Sequence, residues 1–304
     1  MNKMLKGLFI AILFASMCAC SSDDALVSSQ VENSVVNFNF FDEKVEEFKT
    51  ATRGDDDNTS TWKDYFSRLD IKVFPTGETK NTDVLSKSQL STDDGFGTLT
   101  NRLPIGNYTL VAVASKADSK VDISSETSAT FPITKVTDMA YCYLPFEVKS
   151  GTTTVNASLK RALTHFVLQS TDKKSVDFTK VELTYTGKVA ESFNPSTGYG
   201  VEPTEDVSRT LTFDVSADNL KSKTQTFDFY TFIPAETQVI KLVVKVYNYS
   251  GEVVKTLTFD NVTLQQNHVT TYKGPMFTSG STINFSFEDE ALSASDYDQT
   301  FGDE

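Results

Sequence analysis

The chain has 304 residues, with 41 acidic against 28 basic side chains and a formal net charge of −13. That balance argues against a nucleic-acid binder, which needs a positive face for the phosphates, and against charge-driven attachment to anionic lipid. Three cysteines, Cys18, Cys20 and Cys142, are too few for a stabilising disulfide framework. Threonine, valine, phenylalanine, tyrosine and serine are prominent and helical periodicity is scarce, which points to an all-β protein, because β-branched and aromatic side chains suit a pleated, half-buried surface.

At the start, Lys3 and Lys6 precede a short apolar run, Leu8 to Ala15, and small residues follow. This is the order of a secretory signal peptide. The run is shorter than the ~20 apolar residues of a membrane-spanning helix. Met17-Cys18-Ala19-Cys20 resembles a bacterial lipobox, with Ala19 before the cut and Cys20 as the lipidated residue. Cys18 fits less well, because Met17 would then fill the small-residue position. Plain secretion with cleavage nearby is the alternative. On the lipobox reading, residues 1–19 are the signal, residues 20–34 a polar tether, and the remainder an exported protein held to a membrane by acyl chains. Removing Lys3 and Lys6 leaves 26 basic side chains against 41 acidic ones. Asp23 and Asp24 resemble the acidic export signal that sends lipoproteins of the Bacteroides group to the outer face of their outer membrane. A flexible solvated leader is the plainer reading of the same residues.

Val36, Phe38 and Phe40 alternate with Asn37 and Asn39, the period of two of a strand. Residues 41–52 are charged and ambiguous between a loose strand and a helical turn. Arg53-Gly54-Asp55-Asp56-Asp57-Asn58 is a breaker, and Trp62 to Phe66 suits one helical turn. Leu69 to Pro75 is an alternating strand, Thr76 to Gly97 a long polar loop, and Thr109 to Ala114 a buried strand. Strands near Ala129–Ile133 and Met139–Val148 complete a first domain, residues 35–150, with the boundary expected at Ser150-Gly151. Cys142 lies in the last of these strands, where a buried inert thiol is expected.

A second domain, residues 151–277, starts with a long run, Val155 to Gln169. Val181–Tyr185 and Leu211–Val215 follow, with a Gly/Pro/Ser-rich loop, Phe193 to Pro203, between them. Phe227–Ile233, apolar on both faces apart from Asp228, reads as a central strand. Ile240, Leu242, Val244 and Val246 share a face, and Asn248-Tyr249-Ser250-Gly251 makes a hairpin turn into Val253–Phe259. Val262–Tyr272 follows. Residues 278–304 hold a last strand and an acidic tail, in which Ile283, Phe285 and Phe287 repeat the spacing of Val36, Phe38 and Phe40. Many short strands parted by turn signals imply β-sandwiches, and the length fits two in tandem.

Several stretches resemble the fimbrillin-type proteins. Leu103-Pro104-Ile105-Gly106-Asn107-Tyr108-Thr109-Leu110 is similar to their LPxGxYxL strand entry, and Val155-Asn156-Ala157-Ser158-Leu159-Lys160-Arg161-Ala162-Leu163 to their xLxRAxA strand. Phe193-Asn194-Pro195-Ser196-Thr197-Gly198, Tyr230-Thr231-Phe232-Ile233-Pro234 and Gln266-Asn267-His268 match later parts of the pattern. Phe38-Asn39-Phe40 followed by Thr52-Arg53-Gly54 matches the start of the pattern, where TRA is usual, with Gly54 in place of the alanine. The order and spacing of these motifs carry the resemblance, which is strongest to the FimB-type fimbrial subunits and anchors of type V pili. It implies two tandem transthyretin-like β-sandwich domains, lipidation at Cys20, fimbrial subunits as partners, and residence in the outer membrane facing outward. It also implies assembly by β-strand addition. In polymerising members an arginine-specific protease cuts behind the first strand, and a neighbour's strand fills the opened groove. Arg53 and Gly54 would then be the processing point, and Val36, Phe38, Phe40, Ile283, Phe285 and Phe287 the exchanging side chains. Arg53 as an ordinary loop arginine is the alternative, and the anchors keep their lipid uncut.

No catalytic constellation stands out, so the chain reads as a non-enzyme without cofactor or metal. His165 suits a packed or hydrogen-bonded strand position, and no G-x-S-x-G elbow, phosphate loop or zinc spacing occurs. Asp55-Asp56-Asp57-Asn58-Thr59 is oxygen-rich but lacks the glycine and distant glutamate of an EF-hand. Asp296-Tyr297-Asp298-Gln299-Thr300 and Arg53-Gly54-Asp55 mimic a phosphatase motif and an integrin tripeptide, at lengths where chance suffices. A second functional class, a glycan-binding surface lipoprotein of a polysaccharide-uptake system, would need exposed aromatic platforms, for which Trp62, Tyr199 and Tyr249 are the candidates.

Overall fold

The structure, a computed structural model, describes residues 33–42, 62–77, 82–132, 136–174, 177–217, 220, 223–278 and 285–291. In chain order its elements are β1 (Asn33–Asp42), α1 (Trp62–Tyr65), β2 (Arg68–Pro75), β3 (Leu85–Leu90), β4 (Thr98–Pro104), β5 (Gly106–Ser115), β6 (Asp122–Ser125), β7 (Ser128–Thr130), β8 (Met139–Val148) and β9 (Thr152–Leu159). Then come β10 (Thr164–Ser170), β11 (Phe178–Gly187), β12 (Ser192–Phe193), β13 (Val207–Asp214), β14 (Thr226–Thr231), β15 (Thr237–Asn248), β16 (Val253–Gln265), β17 (His268–Gly274) and β18 (Ser286–Ala291). Among the described residues the protein is all-β apart from one helical turn. Among the described residues no helix is long and apolar enough to cross a membrane.

The strands form two pairs of sheets and a small bridging sheet. In the first pair, β4-β1-β9 lies over β3-β2-β5-β8. The alternating strands turn one face inward, so Val36, Phe38, Leu69, Ile71, Leu110, Ala112, Val155 and Ala157 share one core with Trp62, Phe66 and Cys142. In the second pair, β14-β10-β17-β18 lies over β13-β11-β15-β16, with Phe166, Leu168, Leu183, Phe227, Phe229, Leu242, Val244 and Val262 between them.

A third cluster joins the two pairs. Val111, Val113, Met139 and Tyr141, on the other face of β5 and β8, pack with Phe131, Leu163, Phe193 and Phe232. Here β12 pairs with β7, so a loop of the second half extends the β6–β7 hairpin of the first. Arg161 reaches Asp138 at 2.6 Å, with both side chains 7% exposed.

The resemblance motifs acquire physical reasons. The Tyr108 hydroxyl donates to the Pro104 carbonyl (2.9 Å) where the chain crosses from β4 in one sheet to β5 in the other. Arg161 makes the buried ion pair. Asn267 holds the β16–β17 turn at φ 60°, in the left-handed region that asparagine tolerates. Gln266 donates from Nε2 to the Gly198 carbonyl (2.8 Å), tying that turn to the Phe193–Gly198 loop.

Some expectations change. The polar stretch Thr76–Gly97 contains β3, a sheet edge whose side chains beyond Leu85 face water, so it lacks apolar alternation. The run Val155–Gln169 divides, because β9 pairs with β1 in the first half and β10 with β14 and β17 in the second. The strands therefore change halves at residues 160–163, not at 150–151. Phe227–Ile233 is not a central strand. β14 is an edge, and Phe232 and Ile233 lie beyond it, with Phe232 filling the bridging cluster. The helical turn at Trp62 and the hairpin at Asn248–Gly251 form as expected, with Gly251 N donating to Asn248 O (3.1 Å).

Candidate functional site

The most unusual element is β1. It is the middle strand of its sheet, antiparallel to β4 and parallel to β9. Phe38 lies opposite Leu99 on one side and Val155 on the other, and Val36 opposite Asn101 and Thr153. The side chains of Val36, Phe38 and Phe40 are buried. Phe38 meets Phe146 edge-on, with ring centroids 5.6 Å apart. On the outer face Asn37 accepts from Thr100 Oγ1 (2.8 Å) and Asn39 donates to Asn156 Oδ1 (3.2 Å). Its ends are tied by Val35 N to Gly151 O (3.2 Å) and Phe40 N to Gly97 O (3.1 Å).

Trp62 closes the far end. Its indole N–H donates to the Phe40 carbonyl at 3.4 Å, and its ring packs on Phe96. Buried this way, it offers no exposed platform for a sugar. The Cys142 thiol shares this core, and burial pushes it up to about 12, so it stays protonated and inert.

The counterpart at the other terminus differs. β18 adds to β17 at the edge of its sheet, His268 opposite Ala291 and Lys273 opposite Ser286. All six of its residues are exposed, and Phe287 is 52% exposed while resting edge-on against Tyr272. Phe285 precedes the strand and packs edge-on against Phe259. It lies directly on Gly274, where a Cβ would fall 2.5 Å from the ring. Lys273 Nζ to Glu288 (2.7 Å) and His268 Nδ1 to Asp289 (3.2 Å) are half-exposed pairs along the seam. Upstream, Asp172 accepts three backbone N–H bonds, from Met276 (2.7 Å), Phe277 (2.7 Å) and Thr278 (2.6 Å). Partial burial pushes its carboxyl up, and the three donors outweigh that and hold it below the usual range.

Of the residues singled out from sequence, Val36, Phe38 and Phe40 come together in one wall, and Phe285 and Phe287 in another. Cys20, Arg53, Gly54 and Ile283 lie outside the described residues, as do the oxygen-rich stretch at Asp55 and the motif at Asp296. His165 is buried, with Nε2 2.9 Å from Asp228 Oδ2 and its ring stacked on Tyr230. Among the described residues no group of three or more metal-binding side chains forms a site. Sequence reading missed the walls around β1, because Leu99, Phe146, Val155 and Gly151 are distant in the chain and only pairing reveals them.

Several solved structures resemble the chain. A candidate adhesin from Bacteroides ovatus is 13% identical, with a TM-score of 0.48, covering 81% of this chain and 88% of its own. A candidate polysaccharide-binding protein from Bacteroides thetaiotaomicron is 13% identical, with a TM-score of 0.48 and coverages of 86% and 99%. The fimbrial anchor protein Mfa2 of Porphyromonas gingivalis is 10% identical, with a TM-score of 0.46 and coverages of 85% and 98%. No curated protein matches the chain at a significant level. Over residues 28–300 it matches DUF6562, a family of unknown function, and it belongs to that family.

Proposed function

We infer that the protein is a surface lipoprotein of a fimbrium, an anchor or accessory subunit that assembles by β-strand addition and supports adhesion. The observation that carries this reading is β1, a terminal strand laid between two others with three apolar side chains buried at alternate positions. Removing it would bare two backbone edges and three adjoining apolar pockets. Burying a Val or Phe side chain is worth ~1.5–3 kcal/mol, so the vacancy would cost roughly 5–9 kcal/mol unless another strand filled it. A strand filling it needs apolar side chains at i, i+2 and i+4. Val36-Asn37-Phe38-Asn39-Phe40 has a near copy in the chain's own Ile283-Asn284-Phe285-Ser286-Phe287. The described part of the second motif, Phe285 to Phe287, runs into β18 at a sheet edge, not in a sheet centre.

In this reading lipid on Cys20 holds the protein at the outer membrane, and Arg53, in the connection from β1 to α1, is where a protease would release β1. A permanent anchor keeps β1 and offers its C-terminal strand. A polymerising subunit loses β1 and accepts a strand. The N-terminus of the surface form separates them: acylated Cys20 means anchor, Gly54 means polymerising subunit. The wider reading is tested by offering a peptide of residues 281–291, and partner subunits, to the intact protein and to protein cut by an arginine-specific protease. Capture by either form supports strand addition; capture by neither overturns it.

A further inference from the structure

A cleft of about 170 Å³ is lined by residues of the second half and by Val136, and takes no residue from β1 or β18. Two sheet edges contribute to it, β13 through Arg209 and Leu211 and β14 through Phe229 and Tyr230. Further along the same two strands Phe213 meets Phe227 edge-on at 5.1 Å. Tyr185 and Phe229 line it beside Leu211, stacked face to face on each other with centroids 4.0 Å apart and only 7% and 2% exposed. Burial pushes the Tyr185 hydroxyl up to about 12, so it remains neutral. Arg209 and Glu191, both in the lining, pair at 3.0 Å with side chains 44% and 28% exposed.

We propose that this cleft binds one neutral sugar ring, as the terminal residue of a glycan. Its volume suits a single pyranose and is below the ~300–1,000 Å³ of sites for larger ligands. Its lining offers apolar contact from the half-buried Leu211 and Tyr230, for the C–H groups of a pyranose, and polar contact from Arg209 and Glu191, for its hydroxyls. The charge selects among small polar ligands. Arg209 and Glu191 neutralise each other, so an anion would have to displace Glu191 and a cation would have to displace Arg209. A neutral polyol needs neither, because the guanidinium has five N–H donors and the carboxylate about four acceptor sites, and their mutual bond uses only part of that capacity. The proposal does not depend on strand addition, since the groove around β1 contributes no residue to the cleft.

Saturation-transfer NMR on the full chain tests it, using methyl glycosides of neutral hexoses and N-acetylhexosamines, with glucuronate and glucosamine as charged comparisons. The expected result is transfer to the C–H face of at least one neutral ring at millimolar concentration, and little to the charged sugars. Leu211→Trp, which fills the cleft, should abolish the signal. Arg209→Ala, at a half-exposed edge position where folding is not at stake, should weaken binding about tenfold, the equivalent of one lost hydrogen bond of ~1.4 kcal/mol. Tyr249→Ala, at the 63% exposed hairpin tip, should change nothing. The proposal fails if no neutral ring receives saturation, if the charged sugars bind best, if the Arg209 variant binds as well as the parent, or if an apolar peptide competes more strongly than any sugar.

Discussion

Val36 to Phe40 and Ile283 to Phe287 are nearly the same five residues, yet the first lie in the middle of a sheet and the described part of the second, Phe285 to Phe287, runs into a strand at a sheet edge. Val36, Phe38 and Phe40 are enclosed by β4, β9 and the opposing sheet. Phe285 and Phe287 touch single rings, Phe259 and Tyr272, and every residue of β18 is exposed. Period-two patterning therefore states which side chains can line an apolar groove, and topology decides whether they do. On the proposed reading, the enclosed copy marks the groove and the edge copy the strand that would be offered to it.

The largest effect should come from truncating the enclosed copy. Phe38→Ala removes a fully buried ring and should cost ~3–5 kcal/mol in chemical unfolding. Phe287→Ala should cost about 1 kcal/mol or less, since the lost edge-on contact with Tyr272 is half in water. Equal costs would dissolve the comparison. Next in size is the root of the C-terminal strand. Asp172→Asn should lose about 1–2 kcal/mol, because three N–H donors then face a neutral acceptor at a half-exposed site. The sign of its pH dependence follows from its lowered pKa. The contribution is full above the ordinary aspartate value of about 3.9 and is lost as pH falls through the lower folded value. The stability gap between the parent and the Asn variant should therefore narrow only in strong acid. The smallest effect is electrostatic: Lys273→Ala should loosen β18 by ~0–1 kcal/mol, read as faster amide exchange in β17 and β18 with β1 unchanged.

Much of this was legible in the residues. The alternation of Val36–Phe40, the buried strand at Thr109–Ala114 and the turn at Asn248–Gly251 are local signals, and local physics honours them. β3 was hidden because an edge strand that buries only Leu85 has no apolar period to read. β14 was misplaced because Phe232 belongs to the cluster between the halves, which made an edge strand look like a central one. The middle position of β1 was the least readable feature. It depends on β9, whose Asn156 is 117 residues from Asn39, and no local pattern encodes a parallel partner at that distance. Residues from the motifs that carried the resemblance proved to be punctuation: Tyr108 at a sheet crossing, Arg161 in a buried ion pair, Asn267 in a turn.

Trp62 gives the most direct test of whether β1 can be exchanged. It is the only tryptophan in the sequence, it is buried, and its indole donates to the carbonyl of Phe40. Protein cut by an arginine-specific protease between β1 and α1 should show a red-shifted Trp62 emission as β1 leaves. A peptide of residues 281–291 should restore the emission and the amide protection of β4 and β9, and a peptide with Phe285 and Phe287 replaced by Ser should not. If emission stays blue after β1 has been removed, or if the peptide protects only β17, the groove is not an exchange site and the account fails.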